Sequence, residues 1–243
     1  MTFMRLAFKV VSRKKVNFTF FDAKGNQSIQ NESIDKALKE DYNALIANLV
    51  DQRVSEIQGT INKIIQKNIP LIIYADPNQE LLNYIRSYRR TIFVATDIKQ
   101  AGILQGKILI DLWNTGREYV DKNNYGNKIE AIISNNDAMA IGAIKTLQKY
   151  GYNMGDKSKT IPVVGIDGIT EGKELINKGF MAGTVVQDPR EKTEVFYSAA
   201  QNMVLGIPPL SNTKYKFDET GIVIRLPYYE YTRVSGDTIN IQK

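Results

Sequence analysis

The chain has 243 residues, 43% of them apolar and 24% charged, a composition ordinary for a soluble globular protein of one large or two small domains. Its 32 Lys and Arg against 26 Asp and Glu give +6, spread along the chain, which argues for a solvated basic surface and against nucleic-acid binding. With no Cys and no His, disulfides, zinc–thiolate sites and His- or Cys-based catalytic triads are excluded.

No apolar run approaches the ~18 residues of a membrane span. The opening MTFMRLAFKVVSRKK does not read as a signal peptide, because Arg5 and Lys9 interrupt its apolar residues and no small-residue cleavage site follows. Residues 3–13 read as a short helix carrying Phe3, Leu6, Ala7, Val10 and Val11 on one face. A strand over 16–21 and a turn over 22–26 precede a rather polar helix, 28–40. Strands over 44–50, 70–75 and 91–95 then alternate with helices over 53–67, 79–87 and 98–113, the pattern of a doubly wound parallel sheet. The stretch NTGREYVDKNNYGNK, 114–128, is the most polar piece and reads as a loop or boundary.

Residues 129–168 form a strand–helix–strand unit. The apolar run 129–133 ends in Ser134-Asn135-Asn136-Asp137, and a helix follows with Met139, Ala143, Ile144 and Leu147 on one face. A second apolar run, 161–166, closes on Asp167-Gly168. Both strands place short polar side chains at their carboxyl ends, where open α/β sheets bind small polar ligands. A helix over 171–178, a strand over 182–186 ending at Gln187-Asp188, and a helix over 190–205 come next. The tail 214–234 reads as extended chain with a turn at 219–221.

These residues together resemble the galactose/glucose-binding protein family, the type I periplasmic sugar-binding proteins of ABC transporters. The motifs that carry the resemblance are Asn135-Asn136-Asp137-Ala-Met-Ala-Ile-Gly142, Ile161-Pro-Val-Val-Gly-Ile-Asp167, Ala182-Gly-Thr-Val-Val-Gln187-Asp188 and Arg225-Leu-Pro-Tyr228. In the first half, Leu45-Ile-Ala-Asn-Leu-Val-Asp51 and Thr96-Asp97 with Gly102-Ile-Leu-Gln-Gly106 fit the same family in the same order. The resemblance implies two doubly wound parallel-sheet lobes joined by a three-segment hinge, 1–96 with 188–226 and 97–187 with 227–243. It implies a binder rather than an enzyme, a hexose ligand, an extracytoplasmic location and a monomer that delivers sugar to an ABC permease. The alternative is a regulatory subunit acting on a membrane sensor kinase or chemoreceptor.

The resemblance also implies site residues. Asp167 is an acceptor-only carboxylate able to take two vicinal hydroxyls. On residue type alone Asn136 or Asp137 caps the following helix; the resemblance gives Asn136 to the sugar and leaves Asp137 as the cap. Gln187 stands where an amide binds sugar at a lobe crossing, and Phe3 matches a ring that covers one sugar face. Asp121, Asn123 and Asn127, with Glu130, resemble a calcium loop, although Tyr125 stands where a carboxylate is usual. Two pieces of the family pattern are missing: a first strand before Phe3, and strand–helix units between Gly126 and Ile129. The expectation is therefore a shortened form, loosened in fold and impaired in sugar binding.

Overall fold

The computed structural model describes residues 5–12, 15–114 and 129–233. The chain divides into two compact units, Met1–Thr96 with Pro189–Leu226 and Asp97–Asp188 with Pro227–Lys243, so it passes between them three times.

The first unit contains β1 (Arg5–Ser12), β2 (Lys15–Phe21), α1 (Gln27–Lys39), β3 (Ala44–Ala47), α2 (Val54–Gln66), β4 (Leu71–Tyr74), α3 (Gln79–Ile85) and β5 (Thr91–Thr96). After the excursion into the second unit it is completed by a long helix, Pro189–Val204, and a strand, Val223–Leu226, which become α7 and β9 in chain order. Its six-stranded sheet runs β2-β1-β3-β4-β5-β9. The neighbours from β3 to β9 are parallel.

The apolar runs are continuous because this sheet is covered on both faces, and alternate residues take opposite sides. Leu45, Leu71, Ile73 and Phe93 pack with Ile57, Ile61 and Ile64 of α2 and with Leu81 and Ile85 of α3. Their neighbours Ile46, Ile72, Ile92 and Val94 pack with Val195, Ala199, Ala200 and Met203 of α7. The spacing 57, 61, 64 is what lets one helix stripe reach the sheet. Helix starts are fixed locally: Asn26 Oδ1 accepts from the Ser28 and Ile29 amides, and Asn78 Oδ1 from the Leu81 amide.

Within the stretch 3–13, the described residues 5–12 do not form the expected helix. Over Arg5–Ser12 the chain is strand β1, antiparallel to both β2 and β3. Leu6, Phe8 and Val10 satisfy a period of two as well as the apolar set satisfies a helical one, and they stand opposite Phe20, Phe18 and Val16. Available sheet partners decide between the two periods. The place beside β3 is thus taken by β1, running antiparallel to it, with β2 beyond it at the edge of the sheet.

The second unit contains α4 (Ile98–Asn114), β6 (Ile132–Ile133), α5 (Asp137–Lys149), β7 (Val163–Ile166), α6 (Thr170–Asn177), β8 (Gly183–Val186) and β10 (Tyr229–Thr232). The sheet order is β10-β8-β7-β6, with β6, β7 and β8 parallel and β10 antiparallel to β8. One face buries Val163 with Ala140, Ile144, Ile176 and Met181; the other buries Val164 and Val185 with Ala101 and Ile108 of α4. The strand expected over 129–133 is shorter. Only Ile132 and Ile133 pair, with Val163 and Val164, and β7 is their one neighbour among the described residues. Ile129 and Ile133 remain exposed.

Phe93 lies fully buried in β5 at the centre of the first unit. Phe93→Ala should lower unfolding stability by about 3–5 kcal/mol, the cost of lost transfer plus a cavity. A shift of the urea midpoint with little change in slope would show this; an unchanged midpoint would mean that β5 is not central to the fold.

Candidate functional site: the carboxyl edge of the second sheet

Because β6, β7 and β8 are parallel, their carboxyl ends lie along one edge of the sheet. The segments leaving that edge are Ser134-Asn135-Asn136, Asp167-Gly168 and Gln187-Asp188. Three of the side chains expected to bind ligand, Asn136, Asp167 and Gln187, are therefore carried on adjacent strand ends. Gln105 of α4, nearly buried, donates from Nε2 to the Ser134 and Gly165 carbonyls and so ties the helix to two of these ends.

The cap expected of Asp137 is made by Asn136. Asn136, in extended conformation, is the N-cap of α5, its Oδ1 accepting from the Met139 amide at 2.9 Å. That leaves its Nδ2 amide as the group able to donate to a ligand oxygen. Asp137 is not the cap. It is the first residue of the helix, 0% exposed, and its carboxylate turns inward across the unit.

Around Asp137 the fold is cut to fit. Oδ1 accepts from Thr184 Oγ1 on β8 at 2.6 Å, and Oδ2 accepts from the Ile169 amide at 2.8 Å. The Gly168 amide also contributes a hydrogen bond. Gly165 and Gly172 face the same carboxylate: a Cβ on Gly165 would fall on Oδ1, and one on Gly172 would stand 2.9 Å from Oδ2. Both positions are glycine for want of space. Burial pushes the Asp137 carboxyl above its ordinary value, opposed by the Thr184, Ile169 and Gly168 donors and by the charge of Lys173.

Asp167 is exposed at the end of β7 and has φ of +114°, a conformation that L residues rarely adopt. Such a residue costs on the order of 1–3 kcal/mol and persists only where its surroundings hold it. Its amide donates to the Val185 carbonyl at 2.9 Å, and two residues later Ile169 is held by Asp137. Gly168 between them also has positive φ, +68°. Gln187 is half-buried directly after β8.

Phe3, Asp121, Asn123 and Asn127 lie outside the described residues, and Glu130 is exposed just before β6. Among the described residues no group of three or more acidic side chains is placed to hold a metal ion.

The carboxyl edge of the first sheet is also polar. Buried Gln30 of α1 donates to the Asn48 carbonyl and accepts from the Val50 amide, and Gln27 accepts from the Asp51 amide, which straps down the loop after β3. Asp51 pairs with Arg53, whose guanidinium holds its carboxyl down to about 2. Arg225 of β9 reaches Asp76 Oδ1 at 2.9 Å and Asp218 Oδ2 at 3.0 Å. The sequence offered Gln30 no signal beyond its place on an apolar helix face. Arg225 was visible only as part of a motif.

Residues 4–121 and 119–207 match the pattern of the periplasmic binding protein domain. The chain belongs to that family. It is 26% identical, over 85% of its length and 77% of the relative's, to the D-galactose/methyl-galactoside binding periplasmic protein MglB of Haemophilus influenzae. That alignment spans 269 positions, more than this chain contributes, so the relative has residues without a counterpart here. A shorter stretch, 25% of this chain and 19% of the relative, is 36% identical to the ribose import binding protein RbsB of Escherichia coli. The fold is shared with two family structures. One is a periplasmic solute binding protein of Actinobacillus succinogenes with bound D-allose (TM-score 0.64, 16% identity, 86% of this chain and 84% of that one). The other is a solute binding protein of Bacillus halodurans with bound myo-inositol (TM-score 0.60, 20% identity, 86% and 81%).

The raised Asp137 carboxyl fixes the sign of a pH effect. A folded-state value above the unfolded one means that the folded state binds the proton more firmly. The associated stability is complete below the ordinary carboxylate value of about 4 and is lost as pH rises through the raised value. Asp137→Asn cannot ionise, so its stability relative to wild type should rise over that interval. Urea midpoints of both proteins at a series of pH values measure it, and a difference independent of pH would contradict the burial of an ionisable carboxylate.

Proposed function

We propose that this chain is a sugar-binding solute receptor of an ABC importer, acting outside the cytoplasm as a binder and not as an enzyme, with a hexose of the galactose or glucose type as ligand. The observation that carries this reading is the single edge at which parallel strands deliver the Asn136 amide, the Asp167 carboxylate and the Gln187 amide. A carboxylate accepts from two neighbouring hydroxyls, while amide groups donate to hydroxyl oxygens. The galactose-binding name of the relative aligned over most of the chain supports a hexose, and the sugars and polyol bound by the structural neighbours support the wider class.

The same reading includes reduced affinity. Residues of the relative without a counterpart here include, on this view, the strand–helix units that would follow residue 126 and bring further hydroxyl partners. Hydroxyls buried without partners weaken binding.

Calorimetric titration with D-galactose and D-glucose tests both parts. Wild type should give measurable heats at dissociation constants weaker than micromolar. Asp167→Ala should weaken binding roughly ten- to hundredfold, since a hydrogen bond to a charged group is worth about 1.5–3 kcal/mol. Equal heats from the two proteins would remove Asp167 from the site. Micromolar binding by wild type would overturn the view that missing segments impair it.

A further inference from the structure

Asp137 makes no appearance among the ligand side chains, yet it lies between them in the chain and in space. It follows Asn136 directly, and its carboxylate accepts from the Ile169 amide, two residues beyond Asp167. It is wholly buried, and Thr184 Oγ1 from β8 fixes the orientation of its other oxygen. One carboxylate thus joins the start of α5, the turn after β7 and the strand β8 that leads to Gln187. Gly165 and Gly172 close on it so tightly that neither position has room for a Cβ.

We propose that Asp137 is the positioning residue of this edge, holding Asp167 in its left-handed conformation and setting the spacing between the Asn136 amide and the Asp167 carboxylate. This rests on the reading of Asn136 and Asp167 as ligand side chains. The strained turn is restrained on both sides. The Asp167 amide is bound to the Val185 carbonyl on one side, and the Ile169 amide is bound to Asp137 on the other. The first is an ordinary bond to the neighbouring strand and would survive an extended Asp167. The second exists only while the turn folds back over the helix start, so it selects the strained form. A ligand hydroxyl that must reach both side chains then meets a fixed pair rather than a mobile carboxylate, and ordering is not required at the moment of binding.

The test uses the full chain, labelled with ¹⁵N, as wild type, Asp137→Asn, Asp137→Ala and Thr184→Val. Three readings are taken: amide exchange at Ile169 against Ala140, the HN–Hα coupling that reports φ at Asp167, and heats of D-galactose titration. Asp137→Asn should keep the wild-type exchange and coupling, because its Oδ1 still accepts from Ile169 while the Thr184 hydroxyl turns to accept from Nδ2. Asp137→Ala should speed Ile169 exchange on the order of tenfold relative to Ala140, a local opening, and move the Asp167 coupling toward its extended value. Thr184→Val, which keeps the carboxylate but removes the group that orients it, should change both readings in the same direction and less. Should Asp137→Ala fail to fold, Thr184→Val against Asp137→Asn decides. Unchanged exchange and coupling in Thr184→Val, or in a folded Asp137→Ala, would overturn the proposal, as would equal losses in Asn and Ala variants. The titration separates the two readings. A wild type that gives no heat with D-galactose, nor with D-glucose titrated in the same way, would sink the hexose assignment, while exchange and coupling would still judge Asp137.

Discussion

A carboxylate removed from water is tolerable only when its lone pairs are filled, and Asp137 shows what that demand does to a fold. Filling its oxygens requires Thr184 at one point of β8 and the Ile169 amide at one point of the turn after β7. Making room for it requires glycine at 165 and 172. Four positions, on β7, β8, α6 and the turn between β7 and α6, are thereby committed to one side chain, and the polar ends of β6, β7 and β8 inherit a common frame. A small apolar residue at 137 would leave Thr184 and the turn after β7 without their shared partner.

The first unit meets a similar demand by other means. Its loop after β3 is held by Gln30 and Gln27, neutral amides that both donate and accept, with no buried charge. Arg225 divides its guanidinium between the exposed Asp76, a pair that solvent screens, and Asp218, whose side chain is nearly buried. Rigid edges in both units follow from sheets whose two faces are covered by helices, since the strands cannot shift without unpacking a core on each side.

Most strands and helices were legible because burial on both faces writes continuous β-branched runs between helices with a clear stripe. Residues 5–12 were not, since their apolar positions satisfy two periods and only the presence of β2 and β3 as partners selects the strand. The run 129–133 overstated β6 because apolar content says nothing about how many neighbours a strand will find. The polar ends of β6 and β7 were readable as the kind of edge at which open α/β sheets take small polar ligands. The division of labour between Asn136 and Asp137 was not, because both residue types cap helices and what separates them is Thr184, forty-seven residues along the chain. Family resemblance assigned Asn136, Asp167 and Gln187 to a ligand and left Asp137 as a helix cap, because the partners of Asp137 become visible only in three dimensions.

A sugar receptor built this way must take its ligand at the carboxyl edge of the second sheet. Amide chemical-shift mapping on the labelled protein, with D-galactose, D-glucose and D-ribose added in turn, examines it most directly. The account predicts that at least one hexose shifts the amides of 134–137, 167–169 and 187–188 together, along one saturating curve. Saturable shifts confined to other residues, or none with any of the three sugars at millimolar concentration, would contradict it.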